Sequence, residues 1–163
     1  MADIVNTLHV ELLADHPQAI PILKEWFERE WAPYYGLDGP GDANKDLQDS
    51  CNRDELPVAL VAISDGEVCG TAALKAESVS THKHLTPWLA ALLVAPGFRR
   101  RGVGERLIAA IEEKAKQLGF HCIYVGTGEG SGTPESSLRK RGWEFVEKSP
   151  YFVSEVSIFQ KAL

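Results

Sequence analysis

The chain has 163 residues, 44% of them apolar and 25% charged, with a net charge of −6. Those values fit one compact domain over 1–163 with an adequate core, and an acidic balance argues against a general nucleic-acid partner. No run approaches the roughly twenty apolar residues of a membrane-crossing helix, so no membrane partner is expected.

The opening MADIVNTLHV lacks a signal peptide's basic start and apolar middle. Three cysteines, Cys51, Cys69 and Cys122, are odd in number and outside any CxxC spacing. A reducing, cytoplasmic setting is expected, with each thiol a small buried apolar group. Charge is unevenly spread. Residues 1–60 hold twelve acids against four Lys/Arg, and residues 61–163 hold eleven against thirteen. The first part should favour a cationic partner and the second should tolerate an anion, although solvated faces of unlike sign read the same way.

Residues 7–13 (TLHVELL) alternate Leu8, Val10 and Leu12, the pattern of a half-buried strand. Asp15 is placed to cap a helix with Pro17 in its first turn; Ile20, Leu23, Phe27 and Trp31 would line its apolar face. Residues 32–41 (APYYGLDGPG) read as a loop, and a short second helix is expected over 43–52. Residues 56–63 and 68–78 flank Asp65-Gly66, a hairpin signal. After a loop, WLAALLV at 88–94 has the continuous apolar character of a central strand. A helix follows with Val103, Leu107, Ile111, Ala115 and Leu118 as its buried stripe and Gly119 as its stop. A short strand at 121–125 comes next, then a Gly-rich loop. A brief helix opens at Thr133 and Pro134 and ends near Gly142. Two strands, around 143–147 and 155–161, form a final hairpin. The order is β-α-α-β-β-β-α-β-α-β-β, an α/β (α+β) fold with helices packed on a mixed sheet.

The entrance of the long helix carries the chemistry. A helix N-terminus has amides without intrahelical partners and the positive end of the macrodipole, so a strand, tight loop and helix form a seat for phosphate. Gly102 and Gly104 let a large anion approach the main chain, and Arg99, Arg100 and Arg101 add charged donors. A solvated basic loop is the alternative, but the strand, Pro96, triple Arg and G-x-G together favour the anion site. A phosphate loop of the G-x-x-x-x-G-K-[ST] type is absent, since Val103 follows Gly102. GTGEGSG at 126–132 fails as a dinucleotide fingerprint, because Ser131 stands where its third glycine belongs.

The stretch LLVAPGFRRRGVGERLI resembles the coenzyme A signature of the GNAT superfamily of N-acetyltransferases. Its Q/R-x-x-G-x-G/A core reads Arg99-Arg100-Arg101-Gly102-Val103-Gly104 here, after a strand ending Val94-Ala95-Pro96. LRKRGWEF at 138–145 is similar to the late helix of that family, which ends in G-F or G-W. The resemblance implies a GNAT-like mixed, mostly antiparallel sheet of about seven strands flanked by about four helices. It also implies that backbone amides of Arg99, Arg100, Arg101, Gly102, Val103, Gly104 and Glu105 hold the pyrophosphate of acetyl-CoA. Leu92, Leu93 and Val94 would pair with the pantetheine arm, beside a bulge and a splay from the 121–125 strand. The reaction implied is direct acetyl transfer from acetyl-CoA, the co-substrate, to a primary amine in a ternary complex, without a metal.

Two departures from the family pattern concern catalysis. The tyrosine that often serves as general acid four residues before G-F/G-W is Leu138 here, which leaves Tyr151 as the preferred candidate beside Tyr124, Tyr34 and Tyr35. The strand at 88–94 lacks the acid that often serves as base, which leaves Glu77, His82 and His84, with Glu77 and His84 taken forward. His82-x-His84 lacks further ligands for a metal site. The acidic first part and the aromatic loop at 31–37 suit a cationic amine or a peptide N-terminus. A non-catalytic acetyl-CoA-binding sensor or docking module is the alternative reading. Oligomeric state is not legible.

Overall fold

The computed structural model describes residues 7–128, 133–151 and 154–163. Seven strands form one sheet in the order β1-β2-β3-β4-β5-β7-β6. They are β1 (Leu8–Leu12), β2 (Val58–Ser64), β3 (Glu67–Lys75), β4 (Trp88–Val94), β5 (Cys122–Thr127), β6 (Glu144–Tyr151) and β7 (Ser154–Ala162). Every pairing is antiparallel except β4 with β5. Five α-helices accompany the strands among the described residues: α1 (Ile20–Glu30), α2 (Ala32–Tyr35), α3 (Ala43–Asp49), α4 (Val103–Gln117) and α5 (Glu135–Lys140).

The near-continuous apolar sequences of β2 and β3 are buried because helices cover both faces. Leu60, Ala62, Ala72 and Leu74 face Val103, Leu107, Ile108 and Ile111 of α4. Their neighbours Ala59, Val61 and Ala73 face Leu23 and Phe27 of α1 and Leu47 of α3. The α4 stripe follows the 3.6-residue period, and Leu107 and Ile111 are fully buried. Burying each such side chain stabilises the fold by roughly 1.5–3 kcal/mol, so truncation of Leu107 to Ala would loosen the helix from the sheet.

The β2–β3 hairpin turns on Asp65 (φ 50°) and Gly66 (φ 79°), the left-handed pair that Asp-Gly forecasts. Gly119 takes φ 92° just past α4, as a helix-stopping glycine should. Other expectations are corrected. Asp15 does not cap a helix: it pairs with Arg53, and 3-10 turns at Leu13–Asp15 and Pro17–Ala19 precede α1. The first residues of the expected 32–41 loop form α2, separated from α1 by the non-helical Trp31 (φ −120°, ψ 47°). Three helices therefore stand between β1 and β2 where two were expected. Asp42 caps α3, accepting the Lys45 N–H at 3.0 Å. Of the thiols only Cys69 is fully buried; Cys51 and Cys122 are partly exposed. Burial pushes the Cys69 thiol up to about 11. Most of the Gly-rich loop expected at 126–132 lies outside the described residues. No described helix is long and apolar enough to cross a membrane.

Candidate active site

The centre of the sheet is interrupted twice. Ala73 of β3 pairs with Ala90 of β4 while Thr71 pairs with Leu93, so β4 carries an extra residue between them. Ala91 takes it up with φ 53°, a left-handed alanine in the middle of a strand. This is a β-bulge, which bends a strand and turns main-chain groups out of the ladder. Beside it, β4 and β5 pair only at Trp88–Tyr124 and Leu89–Val125. Past that point β4 stays with β3 and β5 goes with β7, so the facing edges of two parallel strands diverge. The sheet opens where β4 has polar backbone to offer.

That opening leads into a groove of about 720 Å³. Leu92, Leu93 and Val94 form its floor, Glu30 and Trp31 at the end of α1 one side, and Pro134 and Ser137 at the start of α5 another. Its far end is the α4 entrance, with Arg99, Arg100, Gly102, Val103, Gly104 and Glu105 all lining it. Arg100 (φ 62°) and Gly102 (φ 83°) both take left-handed backbone, so this loop curls back before the helix starts. Gly102 stands at the N-cap with no side-chain cap, and the first helical bond runs from Arg106 N–H to Gly102 O at 3.1 Å. The preceding amides of Val103, Gly104 and Glu105 thus sit at the positive end of a fifteen-residue helix without helical partners. A Cβ on Gly104 would meet only Val94 Cγ2 at 3.8 Å, which leaves the approach to its amide wide.

The three arginines are not equivalent. Arg99 donates from Nε to Val94 O at 3.0 Å and from Nη2 to Glu30 Oε1 at 3.2 Å, fastening the loop across the groove to α1. Arg100 lines the groove and Arg101 stands beside it, exposed.

The sequence-selected catalytic candidates are scattered. Glu77 and His84 are exposed on the β3–β4 connection and line neither the groove nor the bulge. His84 stacks on His82 with ring centroids 5.7 Å apart. His82 is instead structural: its Nδ1 meets Thr81 Oγ1 at 2.8 Å and its Nε2 meets Glu147 Oε1 at 2.5 Å, joining this connection to β6. Tyr151 ends β6 and packs with Trp88, Tyr124, Val156 and Ile158. Burial, with Tyr34 nearby, raises its phenol above the ordinary range. Leu138 is fully buried in the core, and the neighbouring Ser137 faces the groove. Tyr35 donates to Asp46 Oδ2 at 2.6 Å, so burial and that carboxylate push the Tyr35 phenol far up. Sequence reasoning overlooked Lys75. It ends β3 opposite Trp88 and shares a water-sized cavity with Asp46 and the bulge residue Ala91.

Comparisons with solved structures match the fold over nearly the whole chain. An aminoglycoside 6′-acetyltransferase type Ii shares 18% identity, covers 94% of this chain and 96% of that one, and superposes with a TM-score of 0.74. YncA from Salmonella typhimurium, solved with its cofactor acetyl-CoA, shares 17% identity over 96% and 94% of the two chains, TM-score 0.72. A GCN5-related N-acetyltransferase from Kribbella flavida shares 20% identity over 98% and 99%, TM-score 0.71. Comparison with curated proteins gave no match. The described family "Acetyltransferase (GNAT) family" matches residues 21–136, most of the sheet together with the α4 entrance. With bulge, splay and amide-lined groove in one place, the chain belongs to the acetyltransferase (GNAT) family.

Proposed function

We propose that the groove holds acetyl-CoA and that a primary amine attacks its thioester beside the β4 bulge, in one ternary complex. The observation that carries this is one groove lined both by Leu92, Leu93 and Val94, which follow the Ala91 bulge, and by the α4 entrance. The pyrophosphate would accept hydrogen bonds from the amides of Arg99, Arg100, Arg101, Gly102, Val103, Gly104 and Glu105, with guanidinium groups in reach. The pantetheine amides would add as a strand to Leu92, Leu93 and Val94, whose β5 side is unpaired. That puts the thioester where β4 turns its main chain outward, and an outward amide can stabilise the tetrahedral oxyanion.

Acceptor chemistry follows from the walls on the other side. Tyr34 and Tyr35 of α2, Asp46 of α3 and Tyr151 of β6 gather there, linked by Tyr35–Asp46 and by the Tyr34–Tyr151 proximity. Aromatic faces and a carboxylate favour a cation, so an amine that arrives protonated is the acceptor class. Tyr151 would return a proton to the leaving thiolate. Glu77 and His84, exposed on the β3–β4 connection, could contact the base step only through solvent.

Thiol release from acetyl-CoA tests the reading over a panel holding a polyamine, an aminoglycoside, free amino acids and a peptide N-terminus. Turnover on one class with loss of acetyl from the donor supports it. Tight coenzyme A binding with no turnover on any amine would overturn it.

A further inference from the structure

We propose that Lys75 is the proton acceptor for the incoming amine, and that Asp46 stabilises the charge Lys75 then carries. This rests on the reading above, in which the thioester lies at the β4 bulge. An ammonium cannot attack a thioester, so the acceptor must first lose a proton. The bulge strand offers no base, because Trp88, Leu89, Ala90, Ala91, Leu92, Leu93 and Val94 have no ionisable side chain.

The cavity next to that strand does. It measures about 10 Å³, room for about one water, and is bounded by Ala91 of β4, Thr71, Ala73 and Lys75 of β3, Ala59 of β2, Phe27 of α1, and Asp46, Leu47 and Ser50 of α3. Among the described residues, Asp46 and Lys75 are the only titratable ones that line it. Thr71 and Ser50 already direct their hydroxyl protons to backbone oxygens, Leu60 O at 2.7 Å and Asp46 O at 2.8 Å. Tyr35 donates to Asp46 from outside. Lys75 makes no hydrogen bond or ion pair among the described residues. Burial pushes its ammonium below the ordinary lysine range, and the Asp46 carboxylate opposes that only in part. A strand-end lysine with no bonded carboxylate, in a pocket shared with the bulge, gives up its proton more readily than an exposed lysine and is placed to exchange one with an arriving amine.

The step balances. The acceptor ammonium gives one proton to the Lys75 amine, which becomes an ammonium facing Asp46. The neutral acceptor nitrogen attacks the acetyl carbonyl carbon, and the carbon–sulfur bond breaks as the tetrahedral intermediate collapses. The second nitrogen proton passes to Tyr151 as Tyr151 gives its own to the leaving thiolate, so coenzyme A departs as the thiol and the phenol is restored. Lys75 then loses its proton to solvent and the site is reset.

Two experiments test this. The first needs no acceptor: the side-chain signals of 13C-labelled lysines are titrated with coenzyme A bound, and Lys75 is assigned by its loss in Lys75→Met. Lys75 should titrate well below the other lysines, and Asp46→Asn should lower it further, since that carboxylate favours the charged form. Titration of Lys75 together with the other lysines would overturn the proposal, whatever the amine panel shows. The second uses the acceptor that the panel identifies. Lys75→Arg puts a permanent positive charge there that accepts no proton at neutral pH, and should lower kcat about 100-fold or more with coenzyme A affinity kept. In Asp46→Asn the acidic limb of the kcat profile should move to lower pH, which a merely structural role would not cause. An unchanged kcat in Lys75→Arg, or acetylation of Lys75 itself on incubation with acetyl-CoA, would show it is not the base.

Discussion

Arg141 grips the buried Glu112 carboxylate with both arms of its guanidinium, Nε to Oε2 at 2.9 Å and Nη2 to Oε1 at 3.0 Å. Lys161 of β7 adds a bond to Oε1 at 2.7 Å, and Trp143 donates to Oε2 at 3.0 Å. One side chain of α4 therefore fastens the last strand and the turn after α5 to the helix whose N-terminus lines the groove. Burial alone would raise the Glu112 pKa, but the bonds from Arg141, Lys161 and Trp143 outweigh it and hold the carboxyl below its usual range.

Replacing Glu112 by Ala should cost about 3 kcal/mol, because Arg141 and Lys161 would keep charges that lack their partner. The pH dependence has a definite sign. A carboxyl whose folded pKa is depressed contributes stability above its unfolded value, near pH 4, and loses it as pH falls through the folded value. Urea unfolding at pH 7 should show the full deficit for Glu112→Gln. In acid the wild-type and Glu112→Gln midpoints should converge; a constant gap across that range would contradict the assignment.

The two glycines at the α4 entrance should separate stability from ligand binding. Gly102 holds φ 83°, so Gly102→Ala places a side chain in left-handed backbone and should cost about 1–2 kcal/mol. Gly104 is already helical and a Cβ there meets only Val94 Cγ2 at an ordinary contact distance. Gly104→Ala should leave stability unchanged or raise it by up to about 1 kcal/mol. It should nonetheless weaken coenzyme A binding, since the new methyl stands where a diphosphate approaches the amides. Thermal unfolding alone and with coenzyme A measures both effects, and equal ligand-induced shifts in wild type and Gly104→Ala would remove the diphosphate from this position.

Arginine reversal should show the same division of labour. Arg99 is engaged by Glu30 and Val94 O, whereas Arg100 lines the groove without an ion pair among the described residues. Arg100→Glu together with Arg101→Glu should weaken coenzyme A about tenfold or more, on the scale of one charged hydrogen bond. The loss should shrink as salt rises. Calorimetric titration at two salt concentrations measures it.

These two elements were legible in the sequence for physical reasons, and their limits are physical too. WLAALLV reads as a central strand because both its faces are covered, and the G-x-G at the helix entrance is visible because only glycine has its freedom. The bulge between them is not visible, since an alanine at φ 53° has no composition signal and depends on how β3 and β4 are registered. Asp15 offered a sound capping residue, but Arg53, far along the chain, claims it. Lys75 in AALKAES looks like the solvated end of a strand; only packing against α3 turns it into a partly buried amine. His82 and His84 look like reactive neighbours, yet one is bound to Glu147 and the other is exposed.

Tyr151 carries the remaining assignment, the proton returned to sulfur. Its phenol is pushed up by burial first and by Tyr34 second, so it stays protonated through the neutral range and can donate. The thiolate of coenzyme A is a moderate leaving group, which limits what an acid can contribute. Tyr151→Phe removes the hydroxyl and keeps the ring that packs against the cluster of Val79, Trp88, Val156 and Ile158, so folding and coenzyme A affinity should hold. If the phenol donates, kcat should fall about 100-fold, and the loss should shrink with an acyl donor whose thiol is more acidic. A structural role for Tyr151 would lower kcat equally for both donors. Measuring kcat for the two donors in wild type and Tyr151→Phe separates these outcomes, because only proton donation couples the hydroxyl to the basicity of the departing sulfur.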